Sequence, residues 1–212
     1  MKAAEDTRQL QAVAALRSSD PVLGHLIDAY GPIDLWAWRG RWPREPFALL
    51  ARSIVGQQIS TRAAQAIFER LRALLDADFS ARGVAARSDE ELLSVGLSRA
   101  KLASLRDLSD HVLSGELQLD RLTQLTDEVI RGQLTAVRGI GTWTSELFLL
   151  ALGREDALPS ADVGLRRAVR AAYGLDHLPG TVEVEQLGER WRPHRSFAAL
   201  YLYASLRQPA PE

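Results

Sequence analysis

The sequence predicts an all-α protein, and three observations carry that prediction. Apolar residues recur at helical spacing along most of its length, helix-start signals precede many of these runs, and no stretch alternates like a half-buried strand. Leu10, Val13, Ala14 and Arg17, with Leu16 alongside, outline a first helix that Val22, Leu26 and Ile27 continue beyond Pro21. Residues 33–46 hold Trp36, Trp38 and Trp42 near Pro43 and Pro46; this is too irregular for a helix and predicts an extended connection or short 3₁₀ turns. Its tryptophans are expected to pack the N-terminal segment onto the body. Phe47–Val55 forms the next helix, Gly56–Ser60 interrupts it, and Ala64, Ile67, Phe68 and Leu71 mark another from Thr61. Ser88-Asp89-Glu90-Glu91 is a capping box, and Ser98 opens a helix to about Leu113. Thr126-Asp127-Glu128 starts a helix through Ile130, Leu134 and Val137, and Thr142 is expected to cap one through Leu152. Beyond the loop Gly153–Ala161, a helix runs from about Val163 to Tyr173 and stops at Gly174. Thr181 is expected to cap another, and Pro193 to begin the last, with Phe197, Leu200, Tyr201 and Ala204 facing inward.

A chain of 212 residues, 46% of them hydrophobic, can bury a sizeable core as one domain or two lobes. Without cysteine it has no disulfide, thiolate nucleophile or Cys-ligated iron–sulfur cluster. His25, His111, His177 and His194 are scattered, so no catalytic metal is expected. Asp6, Arg8, Arg17 and Asp20 break up the N-terminus, so no signal or membrane-spanning segment is expected, and the protein is placed in the cytoplasm. A net charge of −1 argues against a protein that coats DNA through bulk electrostatics, but leaves room for a few placed phosphate contacts. Lys2 and Lys101 are the only lysines, which leaves little for chemistry that needs an amine nucleophile. No repeat or flexible linker separates independent domains.

The stretch Leu134–Glu146, LTAVRGIGTWTSE, predicts two helices joined by a glycine hairpin. Gly139 and Gly141 permit backbone conformations that side chains forbid, so Ile140 can plug into the core while nearby amides turn outward. Arg138, Gly139, Ile140, Gly141 and Thr142 would then hold a phosphate at the start of the second helix. Arg131 and Arg138 would add attraction, and a monovalent cation could bridge through the backbone. The same pattern also suits a tight turn with no ligand. Asp162, just ahead of the next helix, is either a helix cap or a functional carboxylate. Glu155 and Asp156 read as solvated loop charges, and Glu146 as exposed or paired.

FALLARSIVGQQIS, LTAVRGIGTWTSELFLL, ALPSADVGLRRAV and WRPHRSFAALYLY, in that order, resemble the helix-hairpin-helix DNA glycosylases. The branch most similar is the bacterial 3-methyladenine DNA glycosylase II type, and the likeness runs from about Phe47 to Leu206. It implies a two-lobed all-α fold with the active site in the cleft between lobes, one lobe formed by about 47–125 and the other by 1–46 with 126–212. The chain starts close to this core, so a compact form without the family's N-terminal β-rich domain is expected. The resemblance makes Asp162 the catalytic carboxylate, which a helix N-terminus would help keep ionised. It makes Trp143, Tyr203 and Leu147 the base pocket, Leu147 departing from the family's aromatic, and Gln58 the residue that fills the duplex gap. Gln57 is expected to brace the turn and Ser60 or Thr61 to cap the following helix. Bifunctional members carry a lysine where this chain has Trp143, so base hydrolysis without a lysine-dependent lyase step is expected. Trp143 could stack on a cationic alkylated purine. The implied partner is damaged double-stranded DNA bound by a monomer, with at most Na⁺ or K⁺ on the hairpin carbonyls. A non-catalytic DNA-binding domain, or a glycosylase for mismatched or deaminated bases, remains as an alternative.

Overall fold

A computed structural model describes residues 2–34, 43 and 45–206, with the side chains of 2–5 left aside; the tryptophans 36, 38 and 42 lie outside the described residues. All regular structure among the described residues is helical. The helices are α1 (Lys2–Ser19), α2 (Pro21–Tyr30), α3 (Pro46–Gly56), α4 (Thr61–Leu75), α5 (Ala81–Ala85) and α6 (Asp89–Ser94). They continue as α7 (Arg99–Ser114), α8 (Asp127–Ala136), α9 (Thr142–Ala151), α10 (Val163–Ala172), α11 (Thr181–Gly188) and α12 (Arg195–Ser205). Short 3₁₀ turns occupy Leu119–Arg121 and Glu189–Trp191. No described helix is long and apolar enough to cross a membrane.

The helices form two compact units, Met1–Arg41 with Leu149–Glu212, and Trp42–Phe148. The sequence drew the boundary after residue 125, whereas here it falls inside α9. The reason lies in α7 and the turn after it. Asp107 accepts the Arg138 N–H, and the Gln118 N–H donates to Gln133, so α8 and the hairpin are tied to the central helices.

In the terminal unit α12 packs on α2 and α10, with Phe197, Leu200 and Tyr201 buried as their spacing predicts. The first helix corrects the sequence: Leu10 is 70% exposed, Ala14 and Arg17 are also exposed, and Ala12 and Leu16 are the buried residues. Asp20 separates α1 from α2, and its Oδ1 caps the N–H groups of Val22 and Leu23. Its Oδ2 accepts from the Tyr173 hydroxyl at 2.6 Å and the Trp191 indole at 2.9 Å, so a fully buried carboxylate has its hydrogen bonds met.

In the central unit α3 packs on α4 and α7, and Phe79 meets Phe47 and Phe68 edge-on or tilted. The capping box at Ser88 and Glu91 forms as its sequence predicts, and Ser60, Ser98 and Thr126 cap their helices. Thr142 and Thr181 instead sit inside their helices. Gly141 supplies the carbonyl that accepts the Ser145 N–H, and Gly180 takes the cap of α11. The final helix starts at Arg195, two residues beyond Pro193.

Candidate functional site

The hairpin between α8 and α9 is built by its glycines. Gly139 has φ +79°, and a Cβ there would stand 2.5 Å from the Ser104 hydroxyl, so any side chain would collide as well as strain. Ile140 is buried as predicted, and its N–H donates back to the Val137 carbonyl. Arg138 is exposed, and Gly141 and Thr142 lie at the start of α9, where the geometry of a first turn leaves amides without intrahelical acceptors. Arg131 has other employment. Its guanidinium bonds to Glu146 on α9, which is buried as well as paired, so this arginine holds the two hairpin helices together.

Gln57 and Gln58 follow α3 and divide their tasks. Gln57 Nε2 donates to the Gly139 carbonyl at 2.8 Å, the bracing expected of it. Gln58 is exposed and takes φ +57°, a left-handed conformation that costs an ordinary residue about 1–2 kcal/mol. Strain of this kind is retained where surroundings impose it, and here Gln57 on one side and the Ser60 cap on the other pin the loop. The result presents one glutamine side chain outward, beside the hairpin.

Trp143 and Leu147, one turn apart on α9, line the same pocket of about 280 Å³. Arg52 and Ser53 of α3, Ile59 of the loop and Thr61 of α4 complete much of its wall. Trp143 is 38% exposed, and the wall mixes apolar surface with hydroxyl and guanidinium donors.

Asp162 and Tyr203 come together in the terminal unit. Asp162 caps α10, its Oδ1 accepting the Leu165 N–H at 2.9 Å, and the Tyr203 hydroxyl donates to the same oxygen at 3.0 Å. The two roles considered for Asp162 are therefore compatible. Burial, followed by the charge and hydrogen bond of Asp162, pushes the Tyr203 phenol well above its ordinary value, so it stays a donor. Gly164 makes the approach feasible, since a Cβ there would lie 2.9 Å from Asp162 Oδ1. The loop ahead of Asp162 is pinned by Ser196, buried, whose hydroxyl donates to the Arg154 carbonyl and accepts the Ala157 N–H. Asp156, expected in solvent, binds Arg192 and Arg195, and Glu155 pairs with Arg8 at 3.7 Å. Gly164 and Ser196 lie inside two of the quoted motifs but had no role assigned there, while Ser104 and Asp107 lie outside all four and carry no sequence signal.

A glycine turn between two helices, braced from the loop and helix beside it, defines a helix-hairpin-helix protein. Comparison with known proteins narrows the class: the chain belongs to the HhH-GPD superfamily of base excision DNA repair proteins, whose model matches residues 51–193. It is similar to DNA-3-methyladenine glycosylase 1 of Schizosaccharomyces pombe, 30% identical over 164 residues that cover 76% of this chain and 72% of that protein. Among solved structures, a 3-methyladenine DNA glycosylase of that organism in complex with abasic DNA superposes with TM-score 0.81 at 26% identity, covering 95% of this chain and 99% of the other. A DNA-3-methyladenine glycosidase from Bacillus halodurans gives TM-score 0.70 at 35% identity, covering 77% and 76%.

Proposed function

We propose that this protein is a monofunctional DNA glycosylase that removes alkylated purines, 3-methyladenine foremost and 7-methylguanine with it, from duplex DNA and leaves an abasic site. The observation that carries this reading is the Asp162 carboxylate, held by two hydrogen bonds to one oxygen. The relatives named for 3-methyladenine support the substrate class.

The target nucleotide leaves the stack, because its glycosidic bond is out of reach inside a duplex. Gln58 enters the gap and offsets part of the unstacking cost, while the hairpin from Arg138 to Thr142 holds a backbone phosphate. The base stacks on Trp143, with Leu147 as a further wall, while Tyr203 holds Asp162. An alkylated purine is cationic, so when the C1′–N bond breaks its electron pair leaves with the base and neutralises it; no acid is required. Positive charge grows on the sugar, and Asp162 stabilises it electrostatically. Water then adds to C1′, and its proton passes to Asp162 or to solvent.

Trp143 stands where bifunctional relatives carry their nucleophilic lysine, so no Schiff base forms at that position. A Na⁺ or K⁺ bridging hairpin and phosphate is compatible with the turn. The carbonyls of Val137, Gly139 and Gly141 each accept one hydrogen bond and retain a second lone pair. The protein acts as a monomer in this proposal.

A base-release panel on defined duplexes tests the reading. Wild type should release 3-methyladenine, D162N should release none while binding DNA about as well, and borohydride should trap no enzyme–DNA adduct. Unchanged release by D162N would remove Asp162 from the mechanism. Preferred release of a deaminated or mismatched base would move the enzyme to another substrate class. A wild type that binds DNA but releases no base would make it a binding domain.

A further inference from the structure

One face of α7 carries Lys101, Ser104 and Asp107 at intervals of three, a spacing that sets side chains in a row along a helix. Lys101 touches the end of α3, and Ser104 and Asp107 touch the hairpin. Lys101 Nζ donates to the Val55 carbonyl at 2.7 Å, in the last turn of α3 and three residues ahead of Gln58. That turn has no basic residue of its own, so Lys101 supplies the cation that the exposed carbonyl end of a helix favours. Ser104, buried, presses its hydroxyl against Gly139. Asp107 Oδ2 accepts the Arg138 N–H at 2.6 Å. Gln57 closes the circuit through its bond to the Gly139 carbonyl.

Two of these choices run against the local grain. In a chain whose cations are nearly all arginine, a lysine stands here. Burial draws its pKa below the ordinary lysine value, which marks it as partly withdrawn from water. Asp107 puts a negative charge beside a turn that would hold a phosphate, where repulsion weakens binding. Its bond to the hairpin backbone is the compensating contribution.

We infer that Lys101, Ser104 and Asp107 are positioning residues that set the offset between the phosphate-holding hairpin and the duplex-probing Gln58. They act through those two segments without touching DNA themselves. The inference rests on the glycosylase reading above. Its physical basis is that a wedge can fill a gap only at one distance from the phosphate gripped, and displacement by about 1 Å can cost roughly a hundredfold.

The test measures binding of the full chain to a duplex containing a tetrahydrofuran abasic analogue and to its undamaged counterpart. A 2-aminopurine opposite the analogue reports entry of the wedge. Wild type should prefer the analogue and change the fluorescence; if it does neither, the glycosylase reading fails and this inference with it. K101M should lower the preference about tenfold, with affinity for undamaged duplex within about twofold, because the hairpin still holds phosphate. K101R, which keeps a charged donor, should stay within about threefold of wild type, and D107A should lower the preference as K101M does, with a gain in affinity for undamaged duplex from the lost repulsion. In a Q58A background K101M should add less than about twofold, since residues acting through one wedge are not additive. Melting curves confirm folding, and D107A, at a half-exposed carboxylate, carries the test should K101M not fold. With wild-type preference present, an unchanged preference in the folded variants, or an equal loss in the Q58A background, overturns the inference.

Discussion

The Tyr203 hydroxyl and the Leu165 N–H converge on one oxygen of Asp162, at 3.0 and 2.9 Å. A carboxylate anchored through Oδ1 in this way cannot swing with its χ angles, so the orientation of its second oxygen follows from that of the first. The resemblance implies a stacking ring at Tyr203, and its hydroxyl holds Asp162. Y203F keeps the ring and removes the bond. A hydrogen bond to a charged group is worth about 1.5–3 kcal/mol, so base release should slow by about tenfold or more with DNA affinity unchanged. Single-turnover release beside equilibrium binding checks this. A fall in affinity with an unchanged rate would leave Tyr203 only its stacking role.

Gly164 should be nearly as sensitive. G164A is ordinarily mild in a helix, even stabilising by propensity. Here the added methyl would stand 2.9 Å from Asp162 Oδ1 and 3.6 Å from the Tyr203 ring. The expected outcome is a melting temperature close to wild type with a release rate lowered about tenfold, since positioning errors weigh on rate more than on stability.

Gln58 holds a strained backbone, and in the proposed function its side chain fills the duplex gap. Q58G should relieve the left-handed φ of +57° and stabilise the fold by about 1 kcal/mol, raising the melting temperature by about 2–4 °C. The same change deletes the wedge, so discrimination for an abasic analogue should fall. Calorimetry and competitive binding on one preparation would show both effects, and a Q58G protein that melts lower would refute the strain argument.

Asp20 is the buried charge on which the terminal unit depends. D20A would strand the Tyr173 hydroxyl and the Trp191 indole and uncap α2. Loss of one member of a buried charged network costs about 3–5 kcal/mol, which urea unfolding should read directly. Tyr173, its phenol raised well above the ordinary value by burial and then by Asp20, should titrate at lower pH in D20N.

His177 sets a small pH dependence. Asp176 and then Glu183 raise its pKa above 6.5, because both hydrogen-bond the charged ring. A raised folded-state pKa gives stability that is fully present below the unfolded value and is lost as pH rises through the folded one. An NMR titration should place His177 above 6.5, and D176N should bring it back toward that value. The group is exposed, so the effect on unfolding should be slight.

Much of this molecule was legible before any coordinates. The all-α class, the capping box at Ser88, the helix after Thr126, the stop at Gly174 and the burial of Ile140 all rest on local rules: spacing, capping chemistry and glycine conformation. The reading failed where one local signal had two outcomes. Leu10 and Leu16 lie on different faces of α1, and only packing against α2 decides which is buried. Thr142 and Gly141 can each serve as a helix start, and the hairpin's own geometry chooses the glycine.

What the amino-acid order determined by itself was the list of parts: a glycine hairpin, a glutamine pair after a helix, an indole just past the hairpin, and a carboxylate ahead of a helix. Tertiary structure decided which oxygen of Asp162 is held and by whom, that Asp107 binds the hairpin and Lys101 the end of α3, and that Arg131 binds Glu146. The division has a physical origin. Helix formation and capping are settled within about four residues, whereas these contacts join groups 15 to 46 positions apart. No periodicity in the chain encodes such pairings; they exist only once the helices have packed.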